Sequence, residues 1–386
     1  MAKNRSIFEE VDAKGQITPP ASKGGMIDRA PKGARAAIRG WLILLFLLVV
    51  CMIVVGGATR LTDSGLSITE WRPVSGAMPP LNATDWQLEF DKYRASPQYM
   101  LMNNGMSLSE FQFIYWWEWG HRQLGRFIGL VWGLGFLFFL LTRKIPAGWT
   151  GRLLGVGALG GLQGAIGWWM VASGLTGDMT SVASYRLATH LGLAFVILGF
   201  LAWYVFLLGR SETELMQARR VREGRLFGLS TGLMHFAFLQ ILLGALVAGI
   251  DAGRAFPTWP DMNGEFFPSN ALYVPDGGAV WRAFFENEGM VQFMHRMAGY
   301  LLFILGIVAW LRGRKSAHLV TRRAFDWVLV MMFGQVTLGI VTVLTSAHLY
   351  TALTHQIGAV ILWVLIIRAR HLSQYPVSGS IRKGTA

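Results

Sequence analysis

Residues 327–367 read WVLVMMFGQVTLGIVTVLTSAHLYTALTHQIGAVILWVLII, 41 residues without a single Asp, Glu, Lys or Arg. One bilayer crossing takes about 20 apolar residues, so this stretch is long enough for two. A break at Thr345–Tyr350 divides it into two helices joined by a short turn. Six further apolar runs precede it: Trp41–Gly57, Phe111–Leu141, a third within Leu153–Gly177, Leu187–Leu208, Leu226–Ile250 and Met290–Leu311. The chain of 386 residues is 53% hydrophobic and 15% charged, whereas soluble domains carry roughly a quarter charged residues. The expected fold is therefore an all-α integral membrane protein with eight transmembrane helices.

Charge fixes the orientation. The net charge of +13 would suit a nucleic-acid binder, but 25 of the 35 Lys and Arg residues fall in the N-terminal tail, 142–152, 209–225, 312–323 and the C-terminus. With eight spans these all lie on one side, which the positive-inside bias makes the cytoplasm, with both termini there. Nucleic acid is excluded as a partner and the lipid bilayer takes its place. Cys51 is the only cysteine, which excludes a disulfide framework, a cysteine zinc site and a thiol-attached haem within one chain.

The two halves repeat. His121-Arg122 and His295-Arg296 are 174 residues apart, Thr189-His190 and Thr354-His355 are 165 apart, and Gln163…Gly167 and Gln335…Gly339 are 172 apart. The order is preserved and corresponding helices face the same way, so we expect two parallel-repeat four-helix bundles. The division is a disordered cytoplasmic tail 1–36, a bundle 37–210, a cytoplasmic linker 211–225, a bundle 226–371 and a tail 372–386. Gly125, Gly129 and Gly133, four residues apart, would let the second helix pack closely on a neighbour.

The repeated histidines carry the chemistry. His121, His190, His295 and His355 each lie in the first turns of an even-numbered helix, towards the outer face. One such histidine alone could serve as an interhelical hydrogen-bond donor. Four in a repeat fit better as axial ligands, one from each of two neighbouring helices, for two haems side by side. Zinc is a weaker alternative because no cysteine or paired carboxylate completes either set. Arg122, Arg126, Arg186 and Arg296 lie near these histidines, either snorkelling to the interface or meeting haem propionates. Glu118, one turn before His121, has Gln292 as its counterpart, and this asymmetry favours chemistry in the first half. His235 is expected in core or cavity packing. His318 and His371 need no special role, and His348 in the outer turn is a minor proton-group candidate.

The motifs resemble the haem A synthase family in its proteobacterial and mitochondrial form. The matching stretches are Gly57-Ala58-Thr59-Arg60-Leu61-Thr62, Ser64-Gly65-Leu66-Ser67, Glu70-Trp71-Arg72-Pro73, Pro79-Pro80, Phe113-Ile114-Tyr115, Glu118-Trp119-Gly120-His121-Arg122, Phe256-Pro257-Thr258-Trp259-Pro260 and His295-Arg296-Met297. The likeness covers about residues 35 to 372. Some members carry a cysteine pair in the first outer loop, which this chain lacks.

The resemblance implies oxidation of the C8 methyl of haem O to a formyl group by two successive hydroxylations, giving haem A for terminal oxidases. By it, His295 and His355 hold a haem b cofactor, with Arg296 beside it. His121 and His190 hold the substrate haem, with Arg122 and Arg126 as substrate-binding residues and Glu118 as catalytic group. It also implies handover from haem O synthase and a bacterial inner membrane, or the mitochondrial inner membrane in a eukaryote. A homo-oligomer is left open.

Two other readings stand beside it. A di-haem cytochrome b that exchanges electrons with quinol fits the paired histidines, but would normally place haems towards both faces. A proton-coupled transporter would want broken helices and a polar midplane site.

Overall fold

The computed structural model describes residues 32–275 and 277–377, and among these it contains helices and no β-strand. Eight helices are long and apolar enough to cross a membrane. They are α1 (Lys32–Leu61), α2 (Leu108–Leu141), α3 (Thr150–Ser173), α4 (Ser184–Leu208), α5 (Gly224–Gly249), α6 (Glu288–Gly313), α7 (Leu319–Leu344) and α8 (Leu349–Gln374). The long charge-free stretch does break where expected. Ser346 and Ala347 adopt φ of 51° and 53°, a left-handed turn that ends α7 and lets α8 return.

α1 starts earlier than its hydropathy suggests, because the charges on its first turns have partners. Arg35 donates to the carbonyl oxygens of Leu207 and Arg210 at 3.1 and 2.8 Å, and Arg39 to that of Val205 at 3.2 Å. Cations there satisfy the free carbonyls at the C-terminal end of α4. Residues 32–36, read from sequence as tail, thus belong to α1. Residues 1–31 and 378–386 of the two expected tails lie outside the described residues.

α2 is the longest helix, 34 residues and so roughly 51 Å at 1.5 Å per residue, well beyond a hydrocarbon core of about 30 Å. Its start is fixed by a capping box between Ser107 and Glu110. The overhang is covered by the short helices Ala83–Arg94 and Pro97–Leu101, which clamp Phe90, Tyr93, Phe111 and Tyr115 into a buried aromatic cluster.

Helices α1 to α4 contact one another in a closed ring, α1–α2–α3–α4–α1, and α5 to α8 do the same. The rings meet through α4 against α5, α1 against α8, and α4 against α8. At one end, Arg60 at the end of α1 pairs with Asp251 after α5 at 2.7 Å, and Ser184 at the start of α4 donates to the Phe285 oxygen before α6 at 2.9 Å. At the other end, the Glu223 amide before α5 donates to Ser373 of α8 at 2.9 Å. The ends of α1 and α5 therefore share a side with the starts of α4 and α6.

The glycine stripe on α2 does not pack as expected. Gly129 and Gly133 have no described atom within 4 Å of an added Cβ, so open space lies beside both. The close approaches are at Gly135, which receives the Trp41 indole of α1, and at Gly157 of α3, which receives that of Trp132. Each indole donates to a backbone oxygen of its neighbour helix, Val131 and Leu153, both at 3.1 Å. A large ring needs one gap at the right height, which four-residue spacing alone does not mark.

Candidate functional site

The four repeated histidines are half-buried and point into the two rings. His121 is the fourteenth residue of α2, while His190, His295 and His355 are the seventh, eighth and seventh of α4, α6 and α8. The greater depth of His121 reflects the outward extension of α2. His121 and His190 belong to opposite helices of the first ring, and His295 and His355 to opposite helices of the second. Each bundle thus carries two of the four repeated histidines, as the sequence assigns them.

Each imidazole rests against a glycine of the preceding helix. A Cβ added at Gly56 of α1 would lie 3.1 Å from the His121 ring, and one at Gly167 of α3 would lie 2.9 Å from that of His190. The second bundle repeats this, with Gly244 of α5 at 3.0 Å from His295 and Gly339 of α7 at 3.3 Å from His355. These glycines leave room that a methyl group would fill, and they fix where the rings sit.

Glutamines hold three of the four histidines. Gln163 Nε2 donates to the His190 backbone oxygen at 2.9 Å and lies 3.2 and 3.3 Å from the two ring nitrogens. Gln240 Nε2 does the same at His295, at 3.0, 3.1 and 3.4 Å. Gln335 Nε2 donates to the His355 backbone oxygen at 3.1 Å. The sequence reading found Gln163 and Gln335 by their repeat, but missed Gln240, whose counterpart is Met52 and which no shared motif marks. Beside His355, Gln356 donates to the Ile53 oxygen of α1 at 2.7 Å, across the junction between the rings.

Glu118 is 3% exposed and has four hydrogen bonds. Its Oε2 accepts from the Ser67 hydroxyl at 2.7 Å and the Ile68 amide at 2.8 Å. Its Oε1 accepts from Arg122 Nη2 at 2.6 Å and Nε at 3.2 Å. In the second bundle Gln292 Oε1 accepts from Arg296 at 2.7 Å, and its Nε2 donates to the Ala252 oxygen at 2.6 Å. Both residues thus tie the loop after an odd helix to the following even helix, one with a carboxylate and one with an amide. A buried carboxylate with a guanidinium beside it is charge-compensated, and the second bundle achieves the same tie without charge.

The arginines near the histidines are turned to loop carbonyls. Arg122 donates to Ile68 and Glu70, Arg126 to Arg72 and Pro73, and Arg296 to Phe256, Thr258 and Asp261, all at 2.8 to 3.1 Å. Arg186 donates to the Trp169 oxygen at 2.7 Å and stacks on its ring. Together they hold residues 68–73 and 256–261 over the ends of the two rings nearer the histidines. His235 is not in the core: it is exposed, with Nδ1 2.8 Å from the Thr231 oxygen. His348 is exposed beside Tyr350, and His371 is buried between Trp203, Phe206 and Tyr375.

The paired imidazoles come from opposite corners of each ring, α2 with α4 and α6 with α8, and not from neighbouring helices as the sequence suggested. Backed by glycine gaps and facing across an apolar bundle, they form a donor set that would suit the iron of a flat macrocycle. Among the described residues no three His, Cys, Asp or Glu side chains converge as zinc would require. The buried oxygens of Gln163, Gln240 and Gln335 have no hydrogen-bond partner among the described residues, each beside an imidazole. An imidazole bound to iron through Nε2 presents an Nδ1–H that needs such an acceptor. The residues present fit haem in both bundles.

Comparison with known proteins agrees. Residues 39–367 match the COX15-CtaA family, described as cytochrome oxidase assembly protein. The chain is 64% identical over 389 residues to a protein of Cereibacter sphaeroides named Heme A synthase, covering 99% of each. It is 65% identical over 383 residues to one of the same name from a Ruegeria species, covering 98% of this chain and 99% of that one. A third, from Dinoroseobacter shibae, is 62% identical over 387 residues and covers 100% of both.

Proposed function

The chain belongs to the COX15-CtaA family and makes haem A from haem O, and we propose that α1–α4 hold the haem being oxidised while α5–α8 hold a permanent haem b. The observation that carries this division is a difference in charge at one matched position, Glu118 in the first bundle and Gln292 in the second. Proton-transfer chemistry needs an ionisable group, whereas a site that only passes electrons does not. The relatives give no support to a di-haem cytochrome b working with quinol.

In this reading His295 and His355 ligate haem b, with Arg296 holding the loop at its edge. When bound, haem b supplies electrons one at a time to the first bundle. His121 and His190 ligate the iron of haem O and so fix the macrocycle within the ring. Arg122 and Arg126 bind the substrate by presenting a cationic rim and by holding residues 68–73 as a cover against water. Two hydroxylations of the C8 methyl give a geminal diol, which loses water to leave the formyl group. Glu118, one helical turn outward of His121, takes up the proton released at the substrate, with the Ser67 hydroxyl as its partner at 2.7 Å. Its charge is held in place by Arg122 until then.

The eight helices make this a multi-pass membrane protein. We place it in the bacterial inner membrane with the histidine side outward, and expect haem O to arrive from haem O synthase within the bilayer. Expression with and without haem O synthase, followed by extraction of the pigments, tests the reading. Haem A bound to the protein is expected only when haem O is supplied, and haem b is expected in both.

A further inference from the structure

The imidazoles of His190 and His295 have a glutamine amide against the ring, His355 has one on its backbone oxygen with its ring Nδ1 unpartnered among the described residues, and His121 has none. At His190, His295 and His355 the amide of Gln163, Gln240 or Gln335 is anchored on the histidine's own backbone oxygen, which keeps it beside that residue. Each of these amides also keeps a buried oxygen without a partner among the described residues. Rotation of the imidazole about Cβ–Cγ turns its Nδ1–H towards that oxygen, which locks the tautomer that binds iron through Nε2.

His121 has no such neighbour, and among the described residues no hydrogen bond reaches its ring. The position on α1 that matches Gln240 on α5 is Met52. The match is direct: an added Cβ at Gly299, four residues after His295, would meet Gln240 Nε2 at 3.2 Å, and one at Gly125, four residues after His121, would meet Met52 Cε at 3.5 Å. A thioether donates nothing and accepts only weakly. His121 therefore rests against Gly56 with no hydrogen bond to its ring among the described residues.

We propose that His121 is the ligand that leaves the iron of the substrate haem, opening one coordination position on the α1–α2 side, while His190, His295 and His355 stay bound. In this step the Fe–N bond breaks and the neutral imidazole keeps its electron pair. No proton or electron moves. The open position lies on the side of α2 that carries Glu118, one turn away. Met52 and Gln240 act through these imidazoles and are positioning residues. The inference rests on the reading that the first bundle takes haem O.

Carbon monoxide is the probe, because it binds reduced haem only where a ligand yields. The full-length protein, purified from cells that make haem O, is reduced and titrated with CO while the absorption spectrum is recorded, and its pigments are then extracted. The haem O fraction should bind CO and haem b should not. A hydrogen bond of ordinary strength corresponds to a factor of roughly 2 to 10, so Met52→Gln should weaken CO binding by up to about tenfold at unchanged haem content. Gln240→Met should make haem b reactive with CO, and Gln240→Glu, which restores an acceptor, should not. If extraction finds no haem O in the first bundle, the reading of that bundle fails and the Gln240→Met arm alone decides the ligand rule. Should Gln240→Met lose its haem, added imidazole applied to the wild-type protein decides instead, by displacing a ligand from haem O and none from haem b. Haem O inert to CO, or a Gln240→Met protein whose haem b stays inert, overturns the proposal.

Discussion

Glu118 and Arg122 are joined at 2.6 Å one helical turn apart, and Gln292 and Arg296 repeat the contact at 2.7 Å in the other bundle. The pairing shows that the loop-to-helix tie does not itself require a carboxylate. What distinguishes this tie in the first bundle is its charge, and the proposed chemistry depends on it.

Glu118→Gln substitutes the second bundle's own residue, so the protein should fold and keep haem b. General acid–base help is typically worth ~10²–10⁴-fold, and haem A formation should fall by that order. Haem O or its hydroxymethyl form should accumulate, as read by chromatography of extracted pigments. A purely structural Glu118 would instead leave haem A formation near normal.

Gly244→Ala and Gly167→Ala would place a methyl 3.0 and 2.9 Å from the His295 and His190 rings, closer than ordinary contact. We expect the first to lose haem b and the second to keep haem b while losing haem A formation. Gly129→Ala is the control. It meets nothing described within 4 Å and should be neutral or stabilise α2, by up to about 1 kcal/mol. Pyridine haemochrome assays and thermal denaturation check all three.

Topology is open to tagging. Reporters at the N-terminus, within 209–225 and at the C-terminus should lie in the cytoplasm. Reporters in 61–110 or 260–285 should lie on the opposite side. A C-terminus found outside would contradict the orientation of α8 and the placing of His355 towards the outer face.

Much of this was legible in the sequence because hydropathy and repeated motifs carry it directly. The split of residues 327–367 and the eight spans follow from uninterrupted apolar runs, and the correspondence of the two halves from motifs that recur in the same order. Contacts made by a single residue without a motif were not legible. Gln240 and Met52 correspond only through the packing of α1 on α2 and α5 on α6. Gly56, Gly167, Gly244 and Gly339 are four among 46 glycines, and only the position of each imidazole singles them out. The Gly125, Gly129, Gly133 stripe shows the converse, since regular spacing marks a helix face without saying what packs on it. Arg35 reads as tail because its partners are carbonyls at the end of α4, more than 160 residues away.

The haem content of His190→Ala and His355→Ala, extracted and separated by chromatography, tests the division of labour between the bundles most directly. The account predicts that His355→Ala loses haem b, whereas His190→Ala keeps haem b and yields no haem A. A His190→Ala protein isolated without haem b, beside a His355→Ala protein that retains it, would contradict the account.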